Sequence, residues 1–192
     1  VDQASGNGVD VPASGQMLVE LTVYLQDDPV NVAGLTFNNT ARYSYGSFAG
    51  DTATLADTSE DMSIVEPSLV MTKDGPATLA YGTPGLFTLS VQNTDTIATA
   101  RDITVTDYLP NLAAGGMCDV PPVVTDVSIY ESDATTLVNT LAESTDYTLS
   151  FTPGDPCVLV INGVSATAAL GPEQILVVSY EAQLDQDTPT DA

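Results

Sequence analysis

No histidine and no tryptophan occur in the 192 residues, and only Arg42, Lys73 and Arg101 carry positive charge. Histidine is the side chain that titrates nearest neutrality, so its absence removes the commonest general base and the commonest metal ligand. Without it, or a second lysine, no nucleophile–base pair can be assembled, and the sequence reads as that of a non-enzyme. Against three basic residues stand 26 acidic ones, a net charge of −23. That sign repels nucleic acid and anionic membrane surfaces, whose binding is driven by positive charge. It suits saline, extracellular surroundings, where screening over about 8 Å or less weakens self-repulsion. No run approaches the roughly 20 apolar residues of a membrane span, so direct membrane insertion is not expected. There is also no basic n-region and no initiator Met, and the chain is expected to be a mature product or an excised piece. Cysteine is scarce too: Cys118 and Cys157 sit in the loop-like contexts GGMCDVPP and PGDPCVLV. Outside the cell these two would pair; inside it they would be two free thiols.

What is present is strand-forming. Hydrophobic residues make up 43% of the chain, enough for a packed core, and 14 Gly with 12 Pro punctuate short runs rich in Val, Thr, Tyr and Ile. No 3.6-residue stripe is sustained, so the expected class is all-β, an antiparallel sandwich. Two-residue alternation places strands near Met17 to Leu25, Leu35 to Tyr45, Ser68 to Lys73, Leu86 to Asn93 and Asp102 to Tyr108. Further strands are expected near Val123 to Glu131, Asp146 to Phe151, Cys157 to Ile161 and Gln174 to Leu184.

The sequence also repeats itself. GQMLVELTVYLQDDP (Gly15 to Pro29) returns as EQILVVSYEAQLDQDTP (Glu173 to Pro189), a Gln, an aliphatic strand and an acidic exit before Pro. The offset, about 158 residues, is domain-sized, too long for a solenoid unit. The two segments are therefore expected in like places of successive repeats, although two amphipathic strands can match by chance because they draw on few residue types. On this reading residues 1–65 are the closing strands of a preceding repeat, or a donated strand segment. Residues 66–192 are a second, nearly complete β-sandwich repeat, with SEDMSIVEP (Ser59 to Pro67) as the junction.

The stretch VEPSLVMTKDGPATLAYGTPGLFTLSVQNTDTIATARDITVTDYLP (Val65 to Pro110) resembles a known domain. Its Pro67, Thr72-Lys73, Gly85, Asn93-Thr94 and closing Val105-Thr106-Asp107-Tyr108-Leu109-Pro110 are similar to the conserved-repeat domain known as domain of unknown function eleven. That domain occurs in tandem in large bacterial and archaeal surface proteins. LTFNNTARYSY (Leu35 to Tyr45) looks like that family's last strand, whereas Leu112 to Ala169 matches only in style. The resemblance implies an Ig-like or transthyretin-like β-sandwich serving as spacer, stalk or adhesive module, and no catalytic activity.

One feature of the alternation is unexpected. In RDITVTDYLP the register puts Asp107 on the Ile103/Val105 face, where a core-facing side chain should be apolar. Likewise Lys73 falls on the Leu69/Met71 face of its strand, and Asn39 on the Leu35/Phe37 face of another. Related surface domains use such a trio to form a Lys–Asn isopeptide bond: burial favours the neutral amine, and a desolvated carboxyl polarises the amide and shuttles the proton. Lys73, Asp107 and Asn39 are thus isopeptide candidates, with the difficulty that Asn39 belongs to the earlier repeat. The bland alternatives are a Lys that snorkels to water and an Asp or Asn that bonds turn backbone.

The same facts allow polymerisation by strand donation, an exposed sheet edge taking a strand from the next chain. The expected partners are accordingly adjacent repeats or identical subunits head to tail. A surface receptor, sugar or protein, bound through loops such as Ala113 to Pro122 or Asp51 to Glu60, is a further reading. The acidic strand exits QDDP and LDQD make Asp27, Asp28, Asp185 and Asp187 candidate calcium ligands at an interdomain joint, though no EF-hand or nonapeptide spacing is present and solvated loops are the plainer account. Asn38 in NNT fits an N-glycosylation acceptor.

Overall fold

The structure, a computed structural model, describes residues 11–23, 25–26, 28–46, 52–112 and 115–185. The chain divides into two units, Val1–Asn31 and Val32–Ala192.

The first unit carries a correction. Met17 to Leu25 was expected as a strand equivalent to Gln174–Leu184, but the described residues from Met17 to Val23 form no strand and are exposed. Alternation supplies a face, yet a strand exists only where a second backbone accepts its hydrogen bonds. The C-terminal copy of the motif has such neighbours on both sides, so the two copies stand in unlike places.

The second unit is all-β among its described residues, apart from one 3-10 turn at Ala166–Ala168. Its N-terminal part contains β1 (Thr36–Phe37), β2 (Thr40–Gly46), β3 (Thr52–Thr58) and β4 (Met62–Ser63). Then come β5 (Leu69–Asp74), β6 (Gly85–Asn93), β7 (Thr104–Leu109), β8 (Asn111–Leu112) and β9 (Gly115–Gly116). The chain closes with β10 (Val123–Tyr130), β11 (Leu137–Thr140), β12 (Tyr147–Thr152), β13 (Cys157–Gly163) and β14 (Ile175–Ala182).

Two antiparallel sheets share the core, the arrangement of a β-sandwich: a five-stranded sheet in the order β11-β10-β14-β6-β5 and a three-stranded sheet in the order β12-β13-β7. Their inner faces follow the two-residue period. Leu89 and Val91 of β6 and Leu176, Val178 and Tyr180 of β14 come from one sheet; Val105 and Leu109 of β7 and Leu159 and Ile161 of β13 come from the other. Fully burying such side chains contributes on the order of 2 kcal/mol each. Buried Asn93 closes the end of β6: its amide nitrogen donates to the carbonyls of Ala98, Leu170 and Gly171, and its oxygen accepts the Asp95 N–H.

Ahead of the sandwich, β1 pairs β4 and β2 pairs β3 in nearly continuous register, Thr36 to Ser63 through Gly46 to Thr52. This is one long two-stranded ribbon with an irregularity at Asn38 and Asn39. Asp51 to Glu60, expected as a loop, includes the strand β3.

Candidate functional site

The polar side chains that the alternation aimed inward meet between the sheets. Asp107 lies on β7 between the core residues Val105 and Leu109 and is buried. Lys73 reaches it from β5 in the opposite sheet, its Nζ 2.7 Å from Oδ1 and 2.8 Å from Oδ2. Sequence reasoning missed the third member, Tyr180 on β14, whose hydroxyl donates to Asp107 Oδ2 at 2.5 Å. Only the tertiary fold sets β14 across from β7; the one signal in the sequence was a tyrosine in phase with Leu176 and Val178 on an apolar face.

Each carboxylate oxygen is thus engaged, which is what a buried charge requires. Phe87 stacks on Tyr180 at 5.4 Å between ring centroids, and the Lys73 ammonium lies 5.5 Å from the Phe87 centroid. The cation is held by a carboxylate and by ring faces together. Burial, the hydrogen bond to Asp107 and the negative charge of Asp107 all push the Tyr180 hydroxyl far above the usual phenol range. It therefore stays protonated and serves as a fixed donor.

The cluster sits at an open edge. Because Lys73 points at the opposite sheet, Leu69 and Met71 in the same phase also face inward, yet they are 44% and 50% exposed. Among the described residues β5 has a ladder partner only in β6, and β7 only in β13. No strand covers the seam between β5 and β7 among the described residues.

Asn39, the third expected member, is placed in the ribbon, where its backbone N–H donates to Ser59 Oγ and its carbonyl accepts the Ser59 N–H. The structure brings Lys73 and Asp107 together and leaves Asn39 apart from their hydrogen bonds. Its neighbour Asn38 is exposed and donates from Nδ2 to Asp61 at 2.8 Å.

At the same end of the sandwich, where Cys157 pairs with Leu109 two residues beyond Asp107, Cys118 and Cys157 form a disulfide, with Cα atoms 5.9 Å apart. The cross-link ties β13 to the loop after β9. Asp185 holds the same loop. Expected as a calcium ligand, it is 4% exposed, and its Oδ1 accepts the N–H groups of Cys118 at 2.6 Å and Asp119 at 2.7 Å. Gly116 leaves room for it, since a Cβ there would come 2.8 Å from Asp185 Oδ2 and 2.5 Å from the Pro110 carbonyl. Asp28 is exposed and accepts the Val30 N–H in a turn. Asp27 and Asp187 lie outside the described residues, as do Ala113 and Asp51 of the expected receptor loops. Among the described residues no three acidic or cysteine side chains converge as a metal site. Among them, too, no helix is long and apolar enough to cross a membrane.

No family model matches the chain, and no match is found among curated proteins or among solved structures.

Proposed function

We propose that this chain is a non-catalytic structural module of a long extracellular surface, stalk or filament protein, built on an Ig-like β-sandwich. The observation that carries the reading is the inter-sheet brace. Lys73, Asp107 and Tyr180 join β5, β7 and β14 across the core, and a disulfide close by ties the loop after β9 to β13. Both fastenings oppose separation of the sheets, the motion by which a sandwich yields under load. The resemblance of Val65 to Pro110 to surface-protein repeats points the same way, and the acidic balance suits saline surroundings.

Pulling single molecules from their two ends tests this. The expected record is one abrupt rupture, at a force lowered by Asp107→Ala. Reductant should release the chain between the cysteines, 39 positions apart, as about 130 Å of added length. Gradual yielding without a rupture would reject the load-bearing reading. Glycan or receptor binding through the loops, with no resistance to force, would favour an adhesive module instead.

A further inference from the structure

The second unit contains two features that each lack what the other has. Among the described residues the ribbon β1–β4 is a pair of strands with no third strand, and an isolated hairpin is at best marginally stable in water. Phe37, Tyr43 and Tyr45 on its first strand are 42%, 57% and 53% exposed. The sandwich, conversely, has a core and an uncovered edge at β5. Natural sheets seldom leave such an edge bare, because its unpaired N–H and C=O groups recruit another strand.

Resting on the structural-module reading, we infer that the strand Leu35–Gly46 of one copy adds to β5 of a second copy, filling the seam between β5 and β7. Charge favours this pairing. LTFNNTARYSYG contains one arginine and no acid in a chain of net charge −23, while β5 is flanked by Glu66 and carries Asp74, its Lys73 being neutralised by Asp107. The other ribbon strand, with Asp57 and a single large apolar side chain, Leu55, is the poorer donor. Addition within one chain is disfavoured by connectivity. Ile64 is followed five residues later by Leu69, so the ribbon strand that could fold back on β5 is β4, not β1–β2.

The free hydrogen-bonding edges can be read from the ladders. Thr94 donates its N–H to the Ser68 carbonyl, which turns the N–H groups of Val70, Thr72 and Asp74 toward β6 and those of Leu69, Met71 and Lys73 outward. In the ribbon Ser59 donates to the Asn39 carbonyl, so Ala41, Tyr43 and Tyr45 bond toward β3 while Arg42 and Ser44 face outward. A proline at an outward position blocks strand addition and removes no bond of the monomer.

The test is the mass in solution of the full chain and three proline variants. The chain itself should form head-to-tail oligomers. Ser44→Pro, which cannot donate, and Met71→Pro, which cannot accept, should each be monomeric. Mixed, they should give a one-to-one dimer. Ala56→Pro, on the opposite ribbon edge, should assemble as the unaltered chain does. Thermal midpoints within a few degrees of the parent show that the variants are folded. Met71→Lys, which leaves the backbone free but charges the seam, should weaken assembly at least tenfold. An unaltered chain that is monomeric at millimolar concentration overturns the inference, as does assembly by Met71→Pro or two monomers in the mixture. Assembly by Ser44→Pro would indicate pairing of β5 with β5 and overturn the assigned donor. A monomer that still ruptures abruptly under force would remove this inference and leave the module reading standing.

Discussion

Asp107 shows how one carboxylate can be required by a core. It is buried between β7 neighbours that are apolar, and its oxygens are held by Lys73 and Tyr180. Removing it alone leaves a buried phenol without an acceptor and an ammonium without a partner. Asp107→Ala is therefore expected to lower unfolding free energy by about 2–4 kcal/mol, somewhat less than a fully buried pair because Lys73 is partly exposed. The triple change Asp107→Leu, Lys73→Met and Tyr180→Phe should recover most of that loss, since an apolar cluster of like volume needs no desolvation to be offset. Urea titrations of the three proteins decide it. Recovery would show that the brace gives specificity of sheet pairing more than stability. Lys73 and Asp107 were legible as inward-facing residues because the two-residue period does not depend on the neighbours. Tyr180 was not, because which strand lies opposite is decided by chain crossings.

At the scale of elements, the alternation located most strands but could not supply partners. β6, β7, β13 and β14 run within about two residues of where alternating apolar side chains placed them. Thr52–Thr58 was missed because TATLADT has few large apolar residues, and its strand character comes from pairing with β2. Asn93 was visible only as the end of an expected strand and as part of the Asn93-Thr94 pair in the resemblance. In the structure it holds three carbonyls from two separate segments. Asn93→Ala should thus destabilise by about 3 kcal/mol, leaving buried acceptors unmet, whereas a change at exposed Thr94 should fall within about 1 kcal/mol. Equilibrium unfolding measures both. An Asn93 variant as stable as the parent would mean that water replaces the amide.

For the molecule as a whole, charge governs behaviour. With 26 acidic and three basic residues the folded chain repels itself more than the expanded chain does. Raising salt from about 0.05 M to about 1 M shortens the screening length from roughly 14 Å to about 3 Å. The thermal midpoint should rise by several degrees over that range, and a midpoint independent of salt would show that the carboxylates are too dispersed to matter. Three loop carboxylates, one exposed (Asp133) and two half-buried (Asp95 and Asp146), add a local acid sensitivity. Hydrogen bonds from backbone and hydroxyl groups hold Asp95, Asp133 and Asp146 below the usual carboxylate range. Their contribution is present above the ordinary carboxylate pKa near 4 and is lost as pH falls through their lowered values.

The sequence by itself determined the all-β class, the inward phase of Asp107 and Lys73 and the sign of the molecule's field, because composition and a two-residue period are properties of the chain alone. Tertiary structure decided the rest: that Tyr180 completes the cluster, that Asp185 anchors a loop as a buried carboxylate, and that Met17 to Val23 pairs with nothing described while its C-terminal likeness lies between β10 and β6. Those outcomes depend on which strands become neighbours. Side-chain periodicity, being local, holds no record of that choice.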